Sequence, residues 1–232
     1  MILERARKEL EAPVTTPRYK LPFSKDETAA LLLAAYAQEV ATRGMAMAED
    51  DTATMSNISK VSRWLTSEDT KPMLLLYGGV GNGKTTMARA VARLSKTLMS
   101  SMAAVADGVS DRKTSEQLWL KSRAIRVPSI HTAQELASLA SSDQQAFERT
   151  GMAGFLIIDD LGCEPYSVRN FGTEITPITD IIYRRYDGML PTIVTTNLTK
   201  SDIRNVYGHR VADRFNEVFD TIGYNGTSYR GR

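Results

Sequence analysis

The sequence predicts a three-layer α/β/α protein built on a central parallel sheet, preceded by a short helical N-terminal extension. Three stretches carry that expectation. Residues 74–86 read LLLYGGVGNGKTT, an apolar run that ends in a glycine-rich turn and leads into a helical alternation. Residues 155–158, FLII, are wholly apolar and end in Asp159 and Asp160, as a parallel strand buried on both faces should. Residues 192–195, TIVT, read as a further strand, ending in Thr196 and Asn197.

The first stretch is also the most specific. From Gly78 it matches GxxxxGKT, with Gly78, Gly79, Val80, Gly81, Asn82, Gly83, Lys84, Thr85 and Thr86 forming the candidate binding loop. Glycines let backbone N–H groups turn inward around a phosphate, and the following helix adds the positive end of its dipole. Lys84 is expected at the β/γ-phosphates and the Thr85 hydroxyl at Mg²⁺. These residues imply a nucleoside triphosphate site. Asp159 and Asp160 lie about 75 residues further on. Paired acids at the tip of an apolar strand are costly to bury, so a cation or a positive partner is expected there. Asp159 is assigned to Mg²⁺, largely through water, and Asp160 to the attacking water. Asn197 is at the carboxyl end of its strand, where the ligand crevice of an open α/β sheet lies.

Taken in order, the chain opens with a charged arm holding Pro13, Pro17 and Pro22 and room for one short helix. Ser24 and Glu27 have capping-box spacing and start an apolar helix over residues 26–43, which Gly44 can end. A second helix is expected over residues 55–65, with Ile58, Val61, Trp64 and Leu65 on one face. Residues 1–50 are assigned as arm and partner-binding helix, and residues 51–232 as the nucleotide domain. After the glycine loop a helix should reach about Met99, with residues 100–116 a loop or broken helix. Residues 123–130 read as a strand limited by Pro128. A helix capped by Thr132 and Glu135 should run to about Leu139, and residues 141–151 read as a polar spacer. Residues 174–186 suit a helix, residues 200–207 and 209–217 two short ones, and residues 218–222 a last strand.

Composition narrows the class. Hydrophobic residues make up 42% and charged ones 24%, as in a globular protein without a membrane span. No apolar run approaches the ~18 residues a span requires, and the charged start does not resemble a secretory signal, so a cytoplasmic location is expected. One cysteine, Cys163, and two histidines exclude a disulfide framework or a zinc cluster of the usual spacing. The net charge of +2 does not demand nucleic acid. Residues 112–126, however, hold Arg112, Lys113, Lys121, Arg123 and Arg126 against Glu116 alone, either a solvated face or a backbone-tracking patch. Arg184, Arg185 and Tyr186 offer a second candidate contact to single strands, the alternative being a helix end with its usual cations.

The glycine loop, the strand ending in Asp-Asp and the strand ending in Thr-Asn occur in the order of an AAA+ ATPase. From about residue 50 onward the chain resembles the helicase-loader branch of that superfamily, the DnaC/IstB-like group. The resemblance rests on IIDDLG at 157–162, TTNL at 195–198, YGHRVADRF at 207–215 and SYR at 228–230. It implies ATP with Mg²⁺ as ligands and hydrolysis as the reaction, slow unless the protein is assembled. It also implies that Asn197 is sensor 1, that Arg214 is a finger reaching a neighbouring subunit's nucleotide with Arg210 a weaker candidate, and that Arg230 is the sensor 2 arginine. The implied partners are single-stranded DNA, further copies of the chain, and a replicative helicase or, in the other branch, a transposase. The chain departs from the family in having Asp160 where many members have Glu, and in lacking a zinc-bearing front domain. The guanine-reading Asn-Lys-x-Asp is not present at residues 197–200, in agreement with ATP. A small-molecule kinase and an ATP-gated DNA clamp without turnover are the alternative readings.

Overall fold

In the computed structural model of the chain, the described residues are 2–11, 18–47 and 51–225. Pro13, Pro17, the 50/51 boundary and the SYR segment with Arg230 lie wholly or partly outside them. The elements follow one another as α1 (Ile2–Glu11), α2 (Lys25–Ala41), α3 (Thr52–Thr66), β1 (Met73–Gly78), α4 (Lys84–Gly108), α5 (Arg112–Ala124) and β2 (Ser129–Thr132). Next come α6 (Ala133–Ser142), α7 (Gln144–Gly151), β3 (Leu156–Leu161), β4 (Val168–Asn170), β5 (Thr173–Ile175), α8 (Pro177–Asp187), β6 (Thr192–Thr196), α9 (Lys200–Val218) and β7 (Phe219–Tyr224). Five strands pair in the order β2-β3-β6-β1-β7, every pair parallel. The three-layer expectation holds.

Strand alternation builds the layers. Leu74, Leu76, Ile157, Ile193 and Ile222 point to one face, where they meet Leu32 and Tyr36 of α2, Ile58 and Trp64 of α3, and Met87 and Val91 of α4. Met73, Leu75, Leu156, Ile158 and Val194 point to the other face, against Leu136 of α6, Ile181 of α8 and Phe215 of α9. Central strands buried on both faces explain why their sequences are almost wholly apolar. Helix α2 opens with the expected capping box, Ser24 accepting from the Glu27 amide while the Glu27 carboxylate accepts from the Ser24 amide. Its buried residues Leu32, Ala35 and Tyr36 belong to the same core as the helix after the glycine loop.

Several boundaries differ from expectation, each for a local reason. Helix α4 runs on to Gly108 because residues 102–106 (MAAVA) favour a helix more than their serine-rich flanks suggest. Asp111 then caps α5, accepting from the Thr114 amide, so Arg123 and Ala124 end a helix and do not begin a strand. Residues 144–151 form α7, capped by Asp143, where a spacer was expected. Residues 168–175 form an antiparallel hairpin whose turn residues Phe171 and Gly172 both have positive φ. The break at Gly208 (φ 83°, ψ 171°) divides α9 where the two short helices were expected to part. Among the described residues no helix is long and apolar enough to cross a membrane.

Candidate functional site

The glycine loop connects the carboxyl end of β1 to the amino end of α4. Gly78, at φ 140°, lies so close to β7 that a Cβ there would stand 2.3 Å from the Tyr224 carbonyl oxygen. Gly81 and Gly83 take left-handed φ of 83° and 86°, and Gly83 is the N-cap of α4 with no side-chain bond over the helix end. The first N–H groups of a 25-residue helix therefore face the loop, an arrangement suited to a phosphate. Asn82 braces the loop by donating from Nδ2 to the Tyr224 carbonyl at 2.9 Å. Lys84, only 5% exposed, donates from Nζ to the carbonyls of Gly78 (2.8 Å) and Gly79 (2.6 Å) and to Asn197 Oδ1 (2.9 Å). The lysine of the first motif thus meets the polar end of the third.

The second motif reaches the same place. Thr85 Oγ1 donates to Asp159 Oδ1 at 2.9 Å, joining α4 to the tip of β3. The two acids differ in setting. Asp159 is 4% exposed, whereas Asp160 is exposed, has φ 56° and lines the cleft beside Thr85 and Asn197. A hydroxyl and a buried carboxylate are the hard oxygen donors Mg²⁺ prefers. Among the described residues no group of three acids, histidines or cysteines could hold a metal. Mg²⁺ is commonly held by one or two protein oxygens together with phosphates and water. Cys163 just beyond is exposed, and desolvation helped by Asp160 and Glu164 pushes its thiol up, so nothing activates it.

The cleft has a volume of about 600 Å³, and its far wall is one that sequence reasoning missed. Tyr36, Val40 and Arg43 from the end of α2, with Met45 and Met47 from the segment after it, face the loop residues Val80 to Thr86. This wall is largely apolar, with Arg43 and, at its edge, Asp51 as its charges, and flexible thioethers suit a flat ring. The only signal in the sequence was a Met-Ala-Met run after the helix-ending Gly44. It has no recognisable spacing.

Other expected residues lie elsewhere. Arg214 is not among the residues lining its own chain's cleft. Its guanidinium sits over the Tyr186 ring at 4.1 Å and the Tyr183 ring at 4.6 Å, and it is half-buried; Arg210 is exposed. Arg230 is outside the described residues. The Arg184–Arg185–Tyr186 contact must be corrected. Arg185 is 0% exposed and donates to the carbonyls of Gly151, Ala153 and Pro191 and to Thr192 Oγ1. Burial draws its pKa down to about 9, which leaves it charged at neutral pH and facing the interior. Tyr186 donates to Glu217. In the other basic cluster, Arg112 pairs with Glu116, Arg123 lies over Trp119, and Arg126 lies over Tyr19 and donates to the Gly154 carbonyl.

A glycine loop on β1, acids on β3 and a polar residue after β6, on a parallel sheet in which β6 separates β1 from β3, define the AAA+ type of P-loop fold. Solved structures agree. The chain matches the DnaC helicase loader at a TM-score of 0.50 and 15% identity, over 77% of this chain and 94% of that one. It matches DnaI at 0.52 and 19%, over 79% and 88%. A Streptococcus pyogenes serotype M3 protein, provisionally described as a primosome component, matches at 0.52 and 17%, over 85% and 98%. At these identities the likeness is one of fold. No protein-family model matches the sequence, and no curated protein matches it.

Proposed function

We propose that this chain binds ATP with Mg²⁺ in the cleft between the glycine loop and the end of α2, and hydrolyses it. One observation carries the reading: Lys84, Thr85, Asp160 and Asn197, from three separate stretches of the chain, line one cleft, with the buried Asp159 bonded to Thr85 just behind it. The glycine loop and the α4 amides hold the phosphates, and Lys84 exchanges its carbonyl partners for phosphate oxygens. When bound, Mg²⁺ at Thr85 and Asp159 would neutralise charge developing on the phosphates. Asp160, exposed in the cleft, orients a water and accepts its proton, while Asn197 fixes the terminal phosphate or that water. The apolar wall of Tyr36, Val40, Met45 and Met47 takes the base.

The resemblance extends the proposal. Arg214 reaches the nucleotide of a neighbouring copy, a role compatible with its place outside its own cleft. Arg230 acts as the second sensor. The assembled chain holds single-stranded DNA and serves a replicative helicase, a role supported by the likeness to a helicase loader. Titration of a fluorescent ATP analogue with and without Mg²⁺, followed by phosphate release with and without single-stranded DNA, tests the core of this. DNA-stimulated release is expected; transfer of phosphate to a small acceptor would mean a kinase, and no binding would end the nucleotide reading. Arg214→Ala is expected to lower turnover of the assembled protein at least about 10-fold while leaving the analogue's affinity unchanged. Intact turnover would remove the trans assignment.

A further inference from the structure

The two acids of β3 behave differently because the strand gains a residue between them. Pairing of β3 with β6 runs in register from Leu156↔Thr192 to Ile158↔Val194 and resumes at Leu161↔Thr196. Three steps on β3 thus oppose two on β6, which is a β-bulge. Simple alternation would put Leu161 on the face of Ile157; the extra residue returns it to the core of Leu156 and Ile158. Asp159 keeps the α4 face, and Asp160 is extruded at φ 56° into the cleft.

What closes the gap in the ladder is a side chain. Thr195, 0% exposed, accepts from the Asp160 amide at 2.9 Å and donates to Asp159 Oδ1 at 2.5 Å. A hydroxyl has a single proton, so with both bonds made its orientation is fixed. Thr196 repeats the device one residue on, donating to the Leu161 carbonyl at 2.7 Å and accepting from the Leu198 amide at 3.0 Å. Asp159 Oδ1 therefore receives two hydroxyls, from Thr85 and Thr195. Thr85 belongs to the phosphate loop, whereas Thr195 does not, so the carboxylate keeps one fixed donor whatever Thr85 binds.

We infer that Thr195 is a positioning residue for hydrolysis, setting both acids through one hydroxyl: Asp159 by donating to its carboxylate, and Asp160 by holding the amide that gives the bulge its shape. The inference rests on the proposed ATPase reading. Its consequence is a separation of rate from affinity, because the hydrogen bonds of the Thr195 hydroxyl go to the two acids of β3. Valine has the same outline without the hydroxyl, and serine restores the hydroxyl without the methyl.

The test compares Thr195→Val and Thr195→Ser with the wild-type chain by kcat, by ATP-analogue affinity with and without Mg²⁺, and by exchange of the Asp160 amide in the nucleotide-free protein. For the valine chain, kcat should fall about 10- to 100-fold, the scale of a ligand-orienting hydrogen bond, with Mg²⁺-free affinity unchanged. The Mg²⁺ enhancement of affinity should shrink, and the Asp160 amide should exchange at least about 10-fold faster. Serine should recover all three. Valine and serine chains equally impaired, or a valine chain with wild-type kcat and exchange, would overturn the inference. An unprotected Asp160 amide in the wild type would do so even where the valine chain does not fold. A wild type that binds the analogue but does not turn over would refute hydrolysis alone, and Mg²⁺ enhancement with amide exchange would then judge Thr195. A wild type that binds no nucleotide overturns both.

Discussion

The two ends of the cleft are built on opposite plans. The proposed phosphate end is made of consecutive residues, 78–86, acting largely through backbone N–H groups, with the side chains of Asn82, Lys84 and Thr85 crossing to distant elements. The nucleoside end is made of side chains from the close of α2 and the segment after it, with no shared spacing. A triphosphate has one shape and many charges, so the same local geometry can recur in many chains that bind it. A base offers a flat apolar ring, and many unrelated surfaces can cover that. The first plan leaves a motif and the second does not.

Changes at the two ends should separate accordingly. The largest effect is expected at the phosphate end: Lys84→Ala removes a buried charged donor, and analogue affinity should fall about 100-fold or more by titration. Gly78→Ala should weaken binding similarly and also lower the melting temperature, since its Cβ would strike the Tyr224 carbonyl. Next comes Asp160→Asn, expected to cut turnover about 100-fold with affinity unchanged, because the acid's proposed part is to accept a proton from the attacking water and not to hold the phosphates. The smallest effect is expected at the nucleoside end. Met45→Ala, at an exposed position, should weaken ATP and ADP alike by about 3- to 10-fold and leave inorganic triphosphate untouched. If triphosphate lost as much as ATP, the division between the two ends would be wrong.

The same contrast explains what could be read without coordinates. The apolar runs at 73–76 and 155–158 could be recognised because central parallel strands are apolar on both faces, and the β-branched run at 192–195 because it ends in polar Thr196 and Asn197. The capping boxes at Ser24 and Thr132 could be recognised because both partners lie within four residues. Helix α5 was missed because its apolar residues Leu118 and Leu120 do not make a clean stripe and only Ser122 is fully buried. For Arg185 the sequence left a single-strand contact and a helix-end cation both open, and the structure puts it in the last turn of α8. Charge patterning cannot distinguish a cation facing solvent from one enclosed by three carbonyls and a hydroxyl. Those acceptors come from residues 151, 153, 191 and 192, brought together only by the fold.

The bond from Asn82 to the Tyr224 carbonyl joins residues 142 positions apart. It bears on the order in which the protein is made. Strand β1 pairs with β6 on one side and β7 on the other, and both are synthesised long after it. A ribosome that has delivered only residues through 190 presents β1 with neither neighbour and the glycine loop without its brace. On the proposed reading, nucleotide capture waits for a chain whose strand β7 has emerged, so an occupied site would report that synthesis has passed residue 224.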